Sequence, residues 1–326
     1  MIGKSPRIVW IDCAKAIGMF FIVLGHTFPT RFNPLIYSFS VPLFFFISGY
    51  LCPLSRVDYK TAWNKVLVGL IIPFLALWCF NLVINAIRDP SILTLTHFID
   101  ALLGYHSALG TLWFVYNLIL IKFLLLISTK LIRWLLFALC LIATIILDYY
   151  EYYRGMAIVT IWGCYIFLFL GNLFKSFQNI IPTINKRNRL IVAMIALIVV
   201  FLVANETLLM FIGDYNNNVF LSIFLAILGI LSISFFSSLF SSTPHELYII
   251  SSGSMIILAE HCSILNILNP TSYFTKLIYC IGIMFFFVGV IPLLIRTFPF
   301  LGGKPKNESY APNHSNNSYK RRVNPY

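Results

Sequence analysis

Ten stretches of mostly apolar residues, separated by short polar breaks, dominate this chain and set the solvent in which it folds. They lie near 8–27, 34–52, 64–87, 110–128, 131–149, 155–174, 189–209, 217–240, 247–268 and 273–298. A helix of about 20 such residues crosses the hydrocarbon core of a bilayer, where each backbone N–H and C=O must find its partner within the protein. Charged residues are 10% of the chain and apolar ones 60%. Soluble domains carry about a quarter charged residues, so a water-soluble globular fold is excluded. The expected architecture is all-α and polytopic, with about ten transmembrane helices around a polar cleft.

An even number of spans returns both termini to one side. Of the 23 lysines and arginines, 17 fall in segments on the side of the N-terminus. Only Arg31, Arg88, Arg154 and Lys276 fall on the other side, while Lys15 and Lys122 lie within apolar stretches. Cytoplasmic loops are enriched in Lys and Arg, so both termini are expected to be cytoplasmic. The net charge of +12 is spread over those inner loops and calls for no nucleic-acid partner. The seven cysteines sit in or beside apolar segments with no CxxC pair, which reads as small buried side chains, with neither a disulfide set nor a metal site.

The basic N-terminus and following apolar run resemble a secretory signal, yet Asp12 and Lys15 interrupt the run and no small-x-small site follows. A retained first helix is expected. Residues 1–301 are read as one transmembrane domain, and 302–326, rich in Asn, Ser, Pro and Lys without an apolar face, as a disordered cytoplasmic tail.

Ionisable groups in a spanning helix cost about 2.5–3.5 kcal/mol each on insertion scales, which makes each one a functional candidate. The first segment holds three. At about 100° per residue, the step from Lys15 to His26 closes to about 20°, and Asp12 lies about 60° from Lys15. All three are expected on one stripe, with Lys15 and His26 about 16 Å apart along the axis, a spacing that suits an extended substrate. The competing reading is an Asp12–Lys15 ion pair at the inner interface, with His26 merely ending the helix.

In the second segment Pro42 is expected to bend a helix that ends in Ser48-Gly49, the glycine permitting close helix approach. Here the chain resembles a known family. The run Arg7-Ile-Val-Trp-Ile-Asp-Cys-Ala-Lys-Ala-Ile-Gly-Met-Phe-Phe-Ile-Val-Leu-Gly-His26, followed by Pro42-Leu-Phe-Phe-Phe-Ile-Ser-Gly-Tyr-Leu51, is similar to the membrane acyltransferase-three family, in its fucose 4-O-acetylase-like branch. Such proteins carry a basic residue and, after ten intervening residues, a histidine in the first helix, matched by Lys15 and His26. They also carry a phenylalanine pair before Ser-Gly, matched between Phe45 and Gly49. Fainter echoes are Leu112-Trp113-Phe114, Phe169-Leu170-Gly171 and Glu260-His261. The chain departs from the family at Glu260-His261-Cys262, where many members have two histidines or an isoleucine-histidine ending.

The resemblance implies transfer of an acyl group, usually acetyl from acetyl-CoA, to a hydroxyl of a cell-surface glycan or its lipid-linked precursor. Such a reaction needs a base for the hydroxyl proton, and His26 is assigned that role because an unperturbed imidazole titrates at about 6.5. Asp12 pairs with Lys15 to fix the cleft, or Lys15 binds a phosphate or polarises the thioester; the residues leave both open. Glu260 and His261 point about 100° apart, so one of them, His261, is expected to face the cleft. Trp113 and Asn117, four apart on the fourth segment, are candidates for stacking on and hydrogen-bonding a sugar, although a Trp at an outer interface also serves as an anchor.

Ser48 and Glu260 are counted with the substrate-binding groups, though Ser48 beside Gly49 reads as a packing residue and not as an acyl-serine. Arg56, Lys60 and Lys65 form the expected landing site for the phosphates of acyl-CoA, a placement that topology alone also accounts for. Lys122 is expected to snorkel toward the cytoplasm. The alternative to the enzyme is a glycan transporter or flippase component, which would equally need ten helices and a polar cleft; a third reading is a structural partner of a glycan-assembly complex.

Overall fold

A computed structural model describes residues 7–28, 33–52, 59–152, 155–177, 183–204, 210, 213–215, 218–268 and 272–302. The helices in chain order are α1 (Val9–Thr27), α2 (Asn33–Tyr37), α3 (Ser40–Tyr50), α4 (Tyr59–Val66), α5 (Ile72–Arg88), α6 (Leu95–Leu103), α7 (His106–Leu109), α8 (Trp113–Ile127) and α9 (Lys130–Tyr149). They continue with α10 (Ala157–Phe174), α11 (Lys186–Val203), α12 (Val219–Ser237), α13 (His245–Ser252), α14 (Ser254–Leu268) and α15 (Tyr273–Thr297). No strand occurs among the described residues, and the protein is an all-α polytopic membrane protein.

Among the described residues, seven helical stretches are long and apolar enough to cross a bilayer: Val9–Thr27, Tyr59–Arg88, His106–Ile127, Lys130–Tyr149, Ala157–Phe174, Val219–Ser237 and Phe274–Thr297. Of the three remaining expected spans, two differ from a simple crossing, each for a local reason. In the stretch 34–52 the helix breaks at Ser38–Phe39, ahead of Pro42. The proline ring would collide with the carbonyl four residues back, that of Ser38, so a new helix starts and holds Pro42 in its first turn, where a missing N–H is harmless. The stretch 189–209 forms α11, whose first turn carries Lys186, Arg187 and Arg189. The apolar part described, 190–203, rises about 21 Å, and residues 205–209 of the expected span lie outside the described residues.

The stretch 247–268 is two helices, α13 and α14, meeting at 82° around Gly253. A Cβ at Gly253 would collide with the side chain of Ile291 on α15, so the bend and the packing of α15 into it depend on each other. Breaking the helix there also frees carbonyls of the last turn of α13.

Helix α1 is central, touching α3, α12, α13, α14 and α15. Its small residues Ala14, Ala16, Gly18 and Gly25 are buried against these neighbours. The tightest crossing is α3 on α10. A Cβ at Gly49 would strike the carbonyl oxygen of Leu168, and one at Gly171 would strike that of Phe46, so the two backbones touch with no side chain between them. This is the small-residue packing by which membrane helices gain dispersion contact without a hydrophobic driving force. Gly49→Val is expected to cost at least about 1–3 kcal/mol, because the obstacle is backbone and cannot rotate away. Thermal unfolding in detergent reads it, and a midpoint equal to the wild type would contradict the crossing.

Candidate functional site

Between α1, α3, α5, α8 and α14 lies a cavity of ≈ 720 Å³. Lys15 and His26 both line it, as the angular spacing on α1 requires. Asp12 does not. It is 6% exposed, accepts a 2.6 Å hydrogen bond from Ser251 Oγ, and is ion-paired with Arg7 at 3.7 Å. Lys15 Nζ donates to the carbonyl oxygen of the same Ser251 at 2.9 Å. In place of the Asp12–Lys15 pair of the competing reading, two arms converge on one serine of α13. The physical reason is the break at Gly253: the carbonyl of Ser251 needs a donor, and Lys15 supplies it. Arg7 completes the anchorage, 4.4 Å over the ring of Tyr248 and within 3.2 Å of Ser252 Oγ.

At the other end of α1, the rings of His26 and His261 stand 4.9 Å apart at 62°. His261 is fully buried, and its Nδ1 lies 2.8 Å from the carbonyl oxygen of Ile257. A carbonyl only accepts, so Nδ1 carries the proton and Nε2 keeps its lone pair. That Nε2 lies 3.3 Å from Cys262 Sγ. Glu260 points elsewhere, as the 100° step demands: it is 9% exposed, is not in the cavity wall, and its Oε1 has no hydrogen-bond partner among the described residues. Tyr37 stands 6.0 Å from the His26 ring and also lines the cavity.

Trp113 contributes to the wall while stacking on His106, with centroids 4.8 Å apart at 26°. Asn117 departs from its expected role. It is completely buried and donates to Thr160 Oγ1 at 2.8 Å, so it tethers α8 to α10 rather than facing the cavity. Ser48 lines the cavity, and its carbonyl oxygen accepts a 3.0 Å bond from Lys122 Nζ. Lys122 is therefore turned to α3 instead of snorkelling. Cys52 N bonds to the carbonyl of Gly49, leaving the Ser48 carbonyl at the last turn of α3 in need of a donor. Arg56 lies outside the described residues. Lys60 and Lys65 are exposed on α4 and absent from the wall, whereas Gly69 and Leu70, one turn further on, belong to it.

Polar groups that sequence reasoning passed over complete the wall. Trp78, Asn81 and Asn85 come from one face of α5, and Ser263 and Asn266 from α14. Trp78 Nε1 donates to Ala108 O at 3.1 Å, and Asn81 Nδ2 to Ala259 O at 3.3 Å, which fixes both side chains. The spacing three and four apart within an apolar span was the available signal, since carboxamides in a spanning helix seek partners or water. The profile of the acyltransferase-three family, described as an acyltransferase domain, matches residues 8–301. The chain belongs to this family. The acyltransferase has no significant match among curated proteins or solved structures. Its conspicuous first-helix pair, Lys15 and His26, is the pair that the cavity exposes together.

Proposed function

We propose that this acyltransferase is an O-acetyltransferase of the fucose 4-O-acetylase-like branch, moving acetyl from acetyl-CoA to a sugar hydroxyl of a cell-surface glycan or its lipid-linked precursor in a bacterial inner membrane. The observation that carries the reading is one cavity holding an imidazole, His26, flanked by a fully buried second imidazole and facing a wall of carboxamides. Carboxamides and indole are the groups that recognise sugars, through paired donors and acceptors and through stacking. Trp78, Asn85, Asn266 and Trp113 supply that chemistry around His26.

In this mechanism His26 removes the proton of the sugar hydroxyl, the oxygen attacks the thioester carbonyl, and the new C–O bond replaces the C–S bond. The proton held on His26 passes to the departing thiolate. His261 acts as a positioning residue: locked by Ile257, it holds the ring of His26 at one angle. Lys15, about 16 Å away along α1, is too far to touch the reacting carbonyl and serves the anionic end of an extended donor.

Mass spectrometry of the host's surface glycan with the wild type, a deletion and His26→Ala tests the reaction. Acetate present only with the wild type is expected; identical glycans in all three would end the proposal. Asn85→Ala is expected to raise the KM for the acceptor roughly tenfold, the worth of about one neutral hydrogen bond, with little change in kcat. An unchanged acceptor KM would remove Asn85 from the acceptor wall.

A further inference from the structure

His26, His261 and Cys262 bring two ring nitrogens and one sulfur within 4.8 Å of one another. From this geometry we propose that the trio is a binding site for Zn²⁺ or a cation of its class, and that occupancy blocks acyl transfer. Tetrahedral Zn²⁺, with Zn–N of about 2.0–2.1 Å and Zn–S of about 2.3 Å, holds its ligand atoms about 3.3–3.6 Å apart. His261 Nε2 and Cys262 Sγ already stand at 3.3 Å. His26 closes the set by a shift of about 1–1.5 Å, in which it leaves the angle that His261 sets in the metal-free protein, and its ring borders the cavity into which it can turn.

The surroundings of the trio fit a metal in three further respects. His261 Nδ1–H donates to the carbonyl of Ile257, the second interaction by which proteins fix the tautomer and aim the free nitrogen of a ligating histidine. Two imidazoles and a thiolate suit a borderline-soft cation and not Mg²⁺ or Ca²⁺. With His26 and Cys262 both in the cavity wall, the fourth coordination position opens to the cavity, as in three-ligand sites that keep one place for water. On binding, Cys262 releases its proton to solvent and both imidazoles bind as neutral donors. The site is invisible as a motif, since the third ligand comes from α1, far away in sequence.

The inhibitory half of the inference rests on the proposed acyl-transfer reading: a metal on His26 occupies the lone pair that would take the hydroxyl proton. The binding half does not. Full-length protein in detergent, stripped with a chelator, is titrated with Co²⁺. A thiolate-to-cobalt charge-transfer band saturating at one equivalent and erased by Zn²⁺ is expected. Cys262→Ser should abolish the band, and His261→Gln, which removes a ligand, should weaken Co²⁺ affinity by more than the roughly 10–100-fold that loss of a ligand's outer hydrogen-bond partner costs. Cys79→Ser, at an exposed cysteine that is not part of the cavity wall, should leave it intact, and thermal unfolding verifies that each variant is folded.

No band, or a band that survives Cys262→Ser, overturns the site. Zn²⁺ should suppress acetyl transfer by the wild type at least tenfold, with the suppression lost in Cys262→Ser when each protein is compared with its own metal-free rate. Bound Zn²⁺ with undiminished transfer overturns the inhibitory half. A Cys262-dependent cobalt site in a protein devoid of transferase activity overturns the acyl-transfer reading and leaves the site standing, whereas active enzyme with no cobalt site does the reverse.

Discussion

His26→Ala is expected to lower acyl transfer about 10²–10⁴-fold, the usual contribution of a positioned general base, with the protein still folded. The fold should survive because His26 borders the cavity, so truncation enlarges an existing space instead of opening a void in packed core. The measurement is single-turnover acetyl transfer from a labelled donor to purified acceptor, alongside thermal unfolding. A variant that is folded and retains more than about a tenth of wild-type activity would remove His26 from the chemistry. His261→Gln is the informative companion. It keeps a planar polar side chain next to His26 but loses the Nδ1–H lock on Ile257. A positioning role predicts a loss in kcat with donor and acceptor KM nearly unchanged.

Lys15→Met should raise the KM for the donor roughly 10–150-fold, the worth of about 1.5–3 kcal/mol for a hydrogen bond to a charged group, with a smaller effect on kcat. Lys15 has two tasks on the wall: its ammonium caps the carbonyl of Ser251, and it presents positive charge to the cavity. Methionine fills the same stem volume and leaves the carbonyl without its donor, costing about 1–3 kcal/mol of stability. Ser251 also holds Asp12, so the α1–α13 contact persists through that second arm. A folded protein with a raised donor KM supports the proposed enzyme. Failure to fold, or loss of a partner complex with donor KM unchanged, would favour the reading in which the buried charges only join helices. Asp12→Asn separates the two arms, since it weakens the attachment to Arg7 and leaves Lys15 on its carbonyl.

Much of the architecture was legible because lipid imposes one rule on every segment. Long apolar runs must be helices, and among the described residues seven are long enough to cross. The stripe on α1 was legible for a similar reason: helical angle is fixed by geometry, so Lys15 and His26 had to share a face. What escaped were the consequences of neighbours. The break at Ser38–Phe39 depends on where the ring of Pro42 meets a carbonyl, and the 82° bend depends on Ile291 of α15 reaching Gly253. Asn117 looked like a ligand group because it shares a helix face with Trp113, but the nearest hydroxyl across α10 claimed it. Asn81, Asn85 and Asn266 were overlooked because none is charged, and hydropathy alone gives a carboxamide little weight.

Composition and helical periodicity by themselves determined the solvent, the all-α class and the alignment of Lys15 with His26, since these follow from local backbone geometry and the absence of water in the bilayer core. Tertiary structure alone decided that Asp12 turns to Ser251, that His261 locks beside His26, and that Cys262 joins them. Those outcomes rest on contacts between residues more than 200 positions apart, and no local rule along the chain carries them.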